Sequence, residues 1–328
     1  MKSFAFAATM AAANALNSIE FEYMQYAAQF NKMTNDVETF NFRLANFAST
    51  DAFIKEHNAS NATYTAGHNQ FSDWSHVEYK AMLGYVRSET ATKDRVVVFD
   101  ESANADTVNW VTKGAVTPVK DQGQCGSCWS FSTTGSLEGA HQIATGELLS
   151  FSEQQLVDCA GLKYGNMGCN GGLQTYAYNY YEDGNKAELE SVYPYVSGTT
   201  LKKGTCAYSA GSTTAVTVSS YADVTPSNVA QMKAALNNQP LAIAIEADKL
   251  CFQTYKSGVL NNTNCGTSLD HAVLAVGYGT DSASGLDYWL VKNSWNTTWG
   301  DQGYIKIAIV DGDGICGVQM DPQTVQTN

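Results

Sequence analysis

The residues best suited to chemistry are Cys128, His271 and Asn293. Cys128 sits in the run Gln122-Gly123-Gln124-Cys125-Gly126-Ser127-Cys128-Trp129 and opens a segment of apolar and small residues that ends at Gly146. That pattern predicts a buried helix with a glycine C-terminal stop. A cysteine at a helix N-terminus meets unpaired backbone N–H groups and the positive end of the helix dipole, which lower the thiol pKa and favour the nucleophilic thiolate. Such a sulfur needs a base, and behind the N-terminal segment only His141 and His271 remain. His141 lies far down the same predicted helix, about 20 Å away at roughly 1.5 Å per residue, and is out of reach. His271, in Leu269-Asp270-His271-Ala272-Val273, stands at the mouth of an apolar strand. Asn293, in Val291-Lys292-Asn293-Ser294-Trp295, ends another. Its amide oxygen can accept an imidazole N–H without adding a second negative charge, and Trp295 can shield that bond. Taken singly, each has a plainer reading: Cys125 and Cys128 as disulfide partners, His271 as a core or surface histidine, Asn293 as a turn residue. Their conjunction is what points to catalysis.

These side chains need elements to hold them. Behind the predicted helix at 128–146, Ser152-Glu153-Gln154-Gln155 reads as a capping box opening a second helix, and 173–181 as a third. From about Gly211 the texture changes to β-type runs at 215–218, 241–245, 272–276, 288–291 and 304–309, interrupted by one helix with Val229, Met232 and Leu236 on a face. A helix-rich half followed by a strand-rich half predicts an α+β protein of two lobes with a cleft between them.

Composition narrows the function classes. The 328 residues are 44% hydrophobic, as a globular chain with a real core requires, and no stretch after the N-terminus approaches a membrane span. A formal charge of −13 argues against nucleic-acid binding through phosphate neutralisation. Lys2 followed by an apolar run over 4–15, ending Ala13-Asn14-Ala15, reads as an export signal, so 1–15 are set apart from the fold. Export directs the chain into the secretory pathway and makes disulfides plausible for eight cysteines, none of which precedes Cys125. Residues 16–103 are polar, with Phe40, Leu44, Phe47 and Ile54 at helical spacing but little for an independent core, and so need a partner surface.

The run 125–129, with His and Asn far downstream, resembles the signature of the papain and cathepsin L-like cysteine peptidases. The resemblance extends through Trp110, Lys113-Gly114-Ala115-Val116-Thr117-Pro118-Val119-Lys120, Gly168-Cys169-Asn170-Gly171-Gly172 and Trp299-Gly300. It implies a papain-like two-lobed fold, with a helical left lobe and an antiparallel, barrel-like right lobe. It further implies a cysteine endopeptidase that acts through a Cys128 thiolate, a His271 imidazolium and a thioester, with neither metal nor cofactor. Gln122 would donate its amide to an oxyanion hole beside the Cys128 backbone N–H. Disulfides Cys125–Cys169, Cys159–Cys206 and Cys265–Cys316 are implied, with Cys251 left free. Substrate contacts fall to Gly171, Gly172, Asp270 and Trp295, and a specificity pocket to Leu173, Ala244 and Leu269 over a floor at Asp321. That carboxylate predicts tolerance of basic as well as apolar side chains.

The segment 16–103 resembles the family's inhibitory propeptide through Gly67-His68-Asn69-Gln70-Phe71-Ser72-Asp73. Its upstream helical motif is only partly kept: Arg43, Phe47, Ile54 and Asn58 hold register, while Thr39, Asn46 and Thr50 depart from it. A merely structural helix pair is the alternative. The mature domain is expected over 104–328, with processing between Glu101 and Val108. Both parts are acidic, so burial of aromatics such as Phe71 and Trp74 and a few ion pairs must hold them together, with carboxylate protonation as the acid release. Asn296 replaces the family's usual glycine after Trp295; asparagine tolerates a left-handed backbone, so the turn is expected to survive. Of the mature sequons, Asn261 rather than Asn296 is the expected glycan acceptor. Peptides and proteins are the expected substrates and the propeptide an intramolecular inhibitor. A monomer is expected, acting in a lysosome or digestive vacuole or outside the cell, with acidic protein degradation as its role. Two rivals are a thiol–disulfide oxidoreductase using Cys125 and Cys128, which would need neither His271 nor Asn293, and a catalytically silent homologue that only binds peptides.

Overall fold

The computed structural model describes residues 18–86, 95–209 and 213–328; the expected export signal at 1–15 lies outside them. The chain starts with α1 (Ser18–Gln29) and α2 (Val37–Asn58), the second opened by Asp36, whose carboxylate accepts the Thr39 N–H at 2.9 Å. The core this segment forms by itself is small. Tyr23, Tyr26 and Ala27 of α1 are buried against Phe47 of α2, with Phe40 and Leu44 alongside. Ring centroids of Tyr23 and Tyr26 stand 5.5 and 5.0 Å from that of Phe47, so a few large aromatics do what aliphatic count could not. Next come β1 (Tyr64–Ala66) and α3 (His76–Met82), the latter opened by a capping box between Ser75 and Glu78. Two short strands, β2 (Val96–Val97) and β3 (Val108–Asn109), lead into the larger domain.

There α4 (Cys128–Thr145) is buried along most of its length and ends at Gly146 with φ 83°. Around it lie α5 (Glu153–Cys159), α6 (Gln174–Glu182) and the short α7 (Ser197–Thr200). Trp129, Leu137, Phe151, Leu156, Tyr178 and Tyr181 form the centre of this helical core. The remaining elements are β4 (Val218–Val224), α8 (Val229–Asn238), β5 (Leu241–Ile245), α9 (Leu250–Gln253), β6 (Tyr255–Leu260), β7 (His271–Thr280), β8 (Asp287–Lys292), β9 (Tyr304–Ala308) and β10 (Gln323–Thr327). Among the described residues they join one sheet in the order β1-β6-β9-β8-β7-β5-β10-β4-β2, with β3 on β7. Pairing is antiparallel from β5 through β7 and β8 to β9, and parallel between β6 and β9. A second core, around Ile243, Phe252, Val276, Trp289 and Ile305, packs within this half.

The strand expected over 215–218 begins only at Val218 and runs to Val224, where it pairs with β10; Ser219, Ser220 and Asp223 hide this stretch from a reading by apolar runs. Strands β6 and β10 escape a reading by apolar runs because Lys256, Ser257 and Gly258 interrupt the first and every residue of the second but Val325 is polar. Disulfides join Cys125 to Cys169, Cys159 to Cys206 and Cys265 to Cys316, and Cys128 and Cys251 are free and buried.

The front segment finds its partner surface in two ways. Strand β1 pairs antiparallel with β6, Tyr64 opposite Gly258, and so extends the sheet of the larger domain. Phe71, Tyr79 and Met82 join the core that contains Phe252, Tyr255 and Trp295. Phe71 and Tyr79 meet the Trp295 ring edge-on at 5.2 and 5.6 Å.

Candidate active site

Ser127 precedes α4 without capping it by its side chain, which leaves the first helical N–H groups open to what lies in front of them. Upstream, the Cys125–Cys169 disulfide and the bond from Gly126 N–H to Cys169 O at 2.9 Å hold the loop against the neighbouring chain. The Cys128 sulfur accepts the Ala272 backbone N–H at 3.4 Å, one residue from His271.

His271 is the first residue of β7, and Asn293 directly follows β8. Strand pairing between β7 and β8 therefore brings them together, with His271 Nε2 2.8 Å from Asn293 Oδ1. The same Oδ1 accepts the Ser294 N–H at 2.8 Å, which fixes the amide with its oxygen toward the ring. Nε2 must then carry the proton, leaving Nδ1 as the basic nitrogen. Nδ1 is buried and has no hydrogen-bond partner. Trp295 stacks on the imidazole, centroids 4.5 Å apart and planes at 24°. His141 remains on α4 beside Phe151, away from the sulfur.

Gln122 is held from both ends. Its Oε1 accepts Ser294 Oγ–H at 2.7 Å and Trp295 Nε1–H at 3.2 Å. Its Nε2 donates to Cys125 O and to Met82 O, each at 2.9 Å. Met82 belongs to the front segment, so the amide aimed at the cleft is engaged by that segment's carbonyl.

Residues 84–86 fill the cleft between the two cores. Gly172 N–H donates to Gly84 O at 2.9 Å, Tyr85 N–H to Asp270 O at 3.0 Å and Val86 N–H to Gly172 O at 3.3 Å, with Tyr85 and Gly172 bridged in parallel. Gly171 lies beside them, 2.9 Å from Gly84 O measured from the position of a Cβ. Gly84 crosses Gly126 so closely that a Cβ on it would fall 2.0 Å from Gly126 O. The Tyr85 side chain enters an apolar pocket formed by Leu173, Ala244, Leu269 and Ala272, with Tyr176 and Met320 at its edge. Its hydroxyl donates to Asp321 Oδ2 at 2.5 Å. The residues assigned by resemblance to the cleft thus lie along one groove, and that groove holds the chain's own front segment.

Burial sets the ionisation. It pushes the Cys128 thiol up to about 11, against the backbone N–H groups of Ala272, Gly84 and Trp129 that favour the thiolate. It also pulls His271 down to about 4, the Asn293 bond opposing. Asp270 is pushed up to about 7, again by burial first. While the cleft is covered, desolvation thus works against the expected poised thiolate and opposes the helix terminus. Sequence reasoning also missed Met82, Gly84 and Tyr85 as occupants of the site; nothing in their spacing or composition marks them. Asn296 holds the turn after Trp295 with φ 61°, as its tolerance of the left-handed region allows.

Comparison with known proteins accords with this geometry. Residues 104–326 match the papain family cysteine protease domain, and 23–79 the cathepsin propeptide inhibitor domain. A probable cysteine protease of Arabidopsis thaliana, RD21B, is 45% identical over 274 residues, 82% of this chain and 57% of that longer protein. Digestive cysteine proteinase 1 of Homarus americanus is 40% identical over 324 residues, 97% of this chain and 96% of the lobster protein. The structure of digestive procathepsin L 3 from the larval midgut of Tenebrio molitor superposes with a TM-score of 0.82 at 34% identity, covering 94% of this chain and 99% of that one. An inhibitor domain threaded through the cleft of a papain-type domain is the arrangement of a zymogen, and this chain belongs to the papain family of cysteine proteases as a cathepsin L-like proenzyme.

Proposed function

We propose that Cys128 is the nucleophile, His271 its acid and base, Asn293 the group that orients the imidazole, and Gln122 with the Cys128 N–H the oxyanion donors. The observation that carries this is the bond from His271 Nε2 to Asn293 Oδ1 at 2.8 Å, which leaves Nδ1 open beside the sulfur's neighbour Ala272. Once the front segment leaves, water re-enters and the thiol proton passes to Nδ1, forming the thiolate–imidazolium pair. The sulfur attacks a peptide carbonyl carbon, and the oxyanion is received by Gln122 Nε2–H and the Cys128 N–H. As the C–N bond breaks, Nδ1–H protonates the leaving amine and a thioester remains. Water then attacks the thioester, giving its proton to Nδ1; the C–S bond breaks, releasing the acid and regenerating the thiolate.

Removal of 16–103 by cleavage between Glu101 and Val108 frees the groove. The substrate side chain that replaces Tyr85 then faces Leu173, Ala244, Leu269 and the Asp321 carboxylate, which favours apolar or basic groups. Gly172 and Asp270 offer backbone bonds to its main chain, as they do to residues 84–86, and Gly171 lines the same stretch of groove. The digestive names of the lobster and beetle relatives support general protein breakdown. The role proposed for this chain is that of a monomer delivered through the secretory pathway to an acidic or extracellular compartment. The test is acid-activated hydrolysis of a fluorogenic Phe-Arg amide, blocked by a thiol-alkylating epoxide and lost in Cys128→Ala. Full activity in that variant would overturn the assignment, and inactivity of the processed wild type would favour a binding-only homologue.

A further inference from the structure

We propose that Tyr195 is a positioning residue for the oxyanion hole, its hydroxyl tying the backbone of Gln122 to Ser127, the residue before Cys128. The inference rests on the oxyanion reading above. Tyr195 Oη lies 2.8 Å from Gln122 O and 2.7 Å from Ser127 Oγ. A phenol has one proton and a carbonyl oxygen can only accept, so the proton points at Gln122 and Ser127 Oγ–H donates to Tyr195. Ser127 Oγ has a second acceptor within reach in Cys125 O, but at 3.5 Å that contact is weak.

The hydroxyl is held from behind. The Tyr195 ring meets Phe131 of α4 edge-on, centroids 4.9 Å apart. Its backbone N–H donates to Glu190 Oε1 at 2.9 Å, and the next two N–H groups, of Val196 and Ser197, converge on Gln154 Oε1 of α5 at 2.8 and 2.9 Å. Gln124 N–H donates to Gly198 O at 3.2 Å, a further tie between the two loops. Tyr195 is thus an extension of the helical core reaching under the loop 122–127.

That loop needs the support. The two donors lie at its opposite ends, and between them the chain turns through Gly123 at φ 56°, a conformation open to glycine and giving no stiffness of its own. Both donors must converge on one oxygen, and misplacement by a fraction of an ångström forfeits much of the stabilisation. Beside the Cys125–Cys169 disulfide and the Gln122 Nε2 bond to Cys125 O, one hydroxyl bonded at both ends of the loop helps to set their separation.

The test is Tyr195→Phe, which removes a single oxygen and keeps the ring. The full-length zymogen is processed with immobilised wild-type enzyme and counted by active-site titration. The expected result is a fall in kcat of about tenfold with KM unchanged, short of the 10²–10³ that loss of a donor itself costs. Inhibition by a peptide aldehyde, whose adduct carries an oxygen in the same hole, should weaken in parallel. Alkylation of Cys128 by iodoacetamide, which uses no oxyanion hole, should keep its rate and pH profile. In a Gln122→Ala background the substitution should add little. Ser127→Ala, which cuts the bridge from the other side, should move kcat in the same direction. Should Gln122→Ala lose activity while Tyr195→Phe and Ser127→Ala leave kcat and aldehyde binding unchanged, the proposal is overturned and the oxyanion reading stands. Equal losses in hydrolysis and alkylation would also overturn it, as the mark of general damage. Full activity in Gln122→Ala would remove the oxyanion reading itself.

Discussion

The hydroxyl of Tyr85 donates to the carboxylate of Asp321 at 2.5 Å, at the end of an apolar pocket that the tyrosine ring occupies. An inhibitory segment thereby shows what the pocket accepts: a long, mostly apolar side chain with a hydrogen-bond donor at its tip. Arginine and lysine fit that description once Tyr85 has left. A charged donor on a carboxylate contributes about 1.5–3 kcal/mol, or roughly ten- to a hundredfold. Asp321→Ala is expected to reduce cleavage of substrates with Arg at the second position before the scissile bond by at least about tenfold relative to those with Phe there. Matched fluorogenic substrates measure this; an unchanged Arg-to-Phe ratio would mean Asp321 takes no part in recognition.

Gly84 faces the backbone of Gly126 with no room for a side chain, since a Cβ would stand 2.0 Å from a carbonyl oxygen. The atoms it would meet are all backbone of Gly126, so the clash can be relieved only by lifting the segment. Gly84→Ala is expected to give a zymogen that hydrolyses peptides at neutral pH before any processing. The thermal midpoint of the processed enzyme should match wild type. A silent Gly84→Ala zymogen at pH 7 would show that inhibition does not depend on this crossing.

With the thiol pushed up to about 11 and His271 down to about 4, both groups are neutral in the covered site across the physiological range. Burial that disfavours the thiolate adds a chemical element to the steric block. Iodoacetamide at pH 6 should leave Cys128 of the zymogen unmodified and label it within minutes after processing, as peptide mass analysis can follow. Rapid labelling of Cys128 in the intact zymogen would contradict the desolvated state. Cys251, pushed up to about 11 by its own burial, serves as an internal comparison.

Acid should release the front segment, and the sign follows from three groups. Burial lowers His68 against the pull of Asp51, so the bound state favours the neutral ring. Its stabilisation is complete above the ordinary value near 6.5 and declines as pH falls below it. Burial works to raise Glu78, but Arg43 and Ser75 outweigh it and hold the carboxyl low. Asp248 is held low in the same way by Lys249 and by Lys80 of the front segment, 3.0 Å away. These two contributions persist above about pH 4 and are lost as the carboxylates protonate below it. Asp270, raised by burial to about 7, acts in the opposite sense and limits the gain. Between pH 7 and about 4 only His68 therefore favours release and Asp270 opposes it, while Glu78 and Asp248 add to release below about pH 4. Processing should be fastest at the acid end of this range, and His68→Gln, which cannot charge, should shift its midpoint downward. A processing rate independent of pH would exclude this release.

Local features were legible without the fold. The thiol at the start of α4 could be read from a helical run with a glycine stop, and α5 from its capping residues, because each signal lies within a few residues of what it predicts. Strands β5 and β7 could be read as apolar runs because the sheet buries both of their faces, and β8 and β9 because their buried positions are filled by Trp289, Val291, Ile305 and Ile307. The conjunction of cysteine, histidine and asparagine was visible as a set of residue types. What brings them together is the register of β7 on β8 and the approach of α4 to Ala272, contacts between residues remote in sequence. Likewise only the tertiary structure revealed that Met82, Gly84 and Tyr85 cover the site, and that Cys128 is consequently a neutral thiol. The helix dipole that favours a thiolate is written into the local sequence. The desolvation that overrides it comes from a segment more than forty residues upstream, and burial is a property of the whole packed chain.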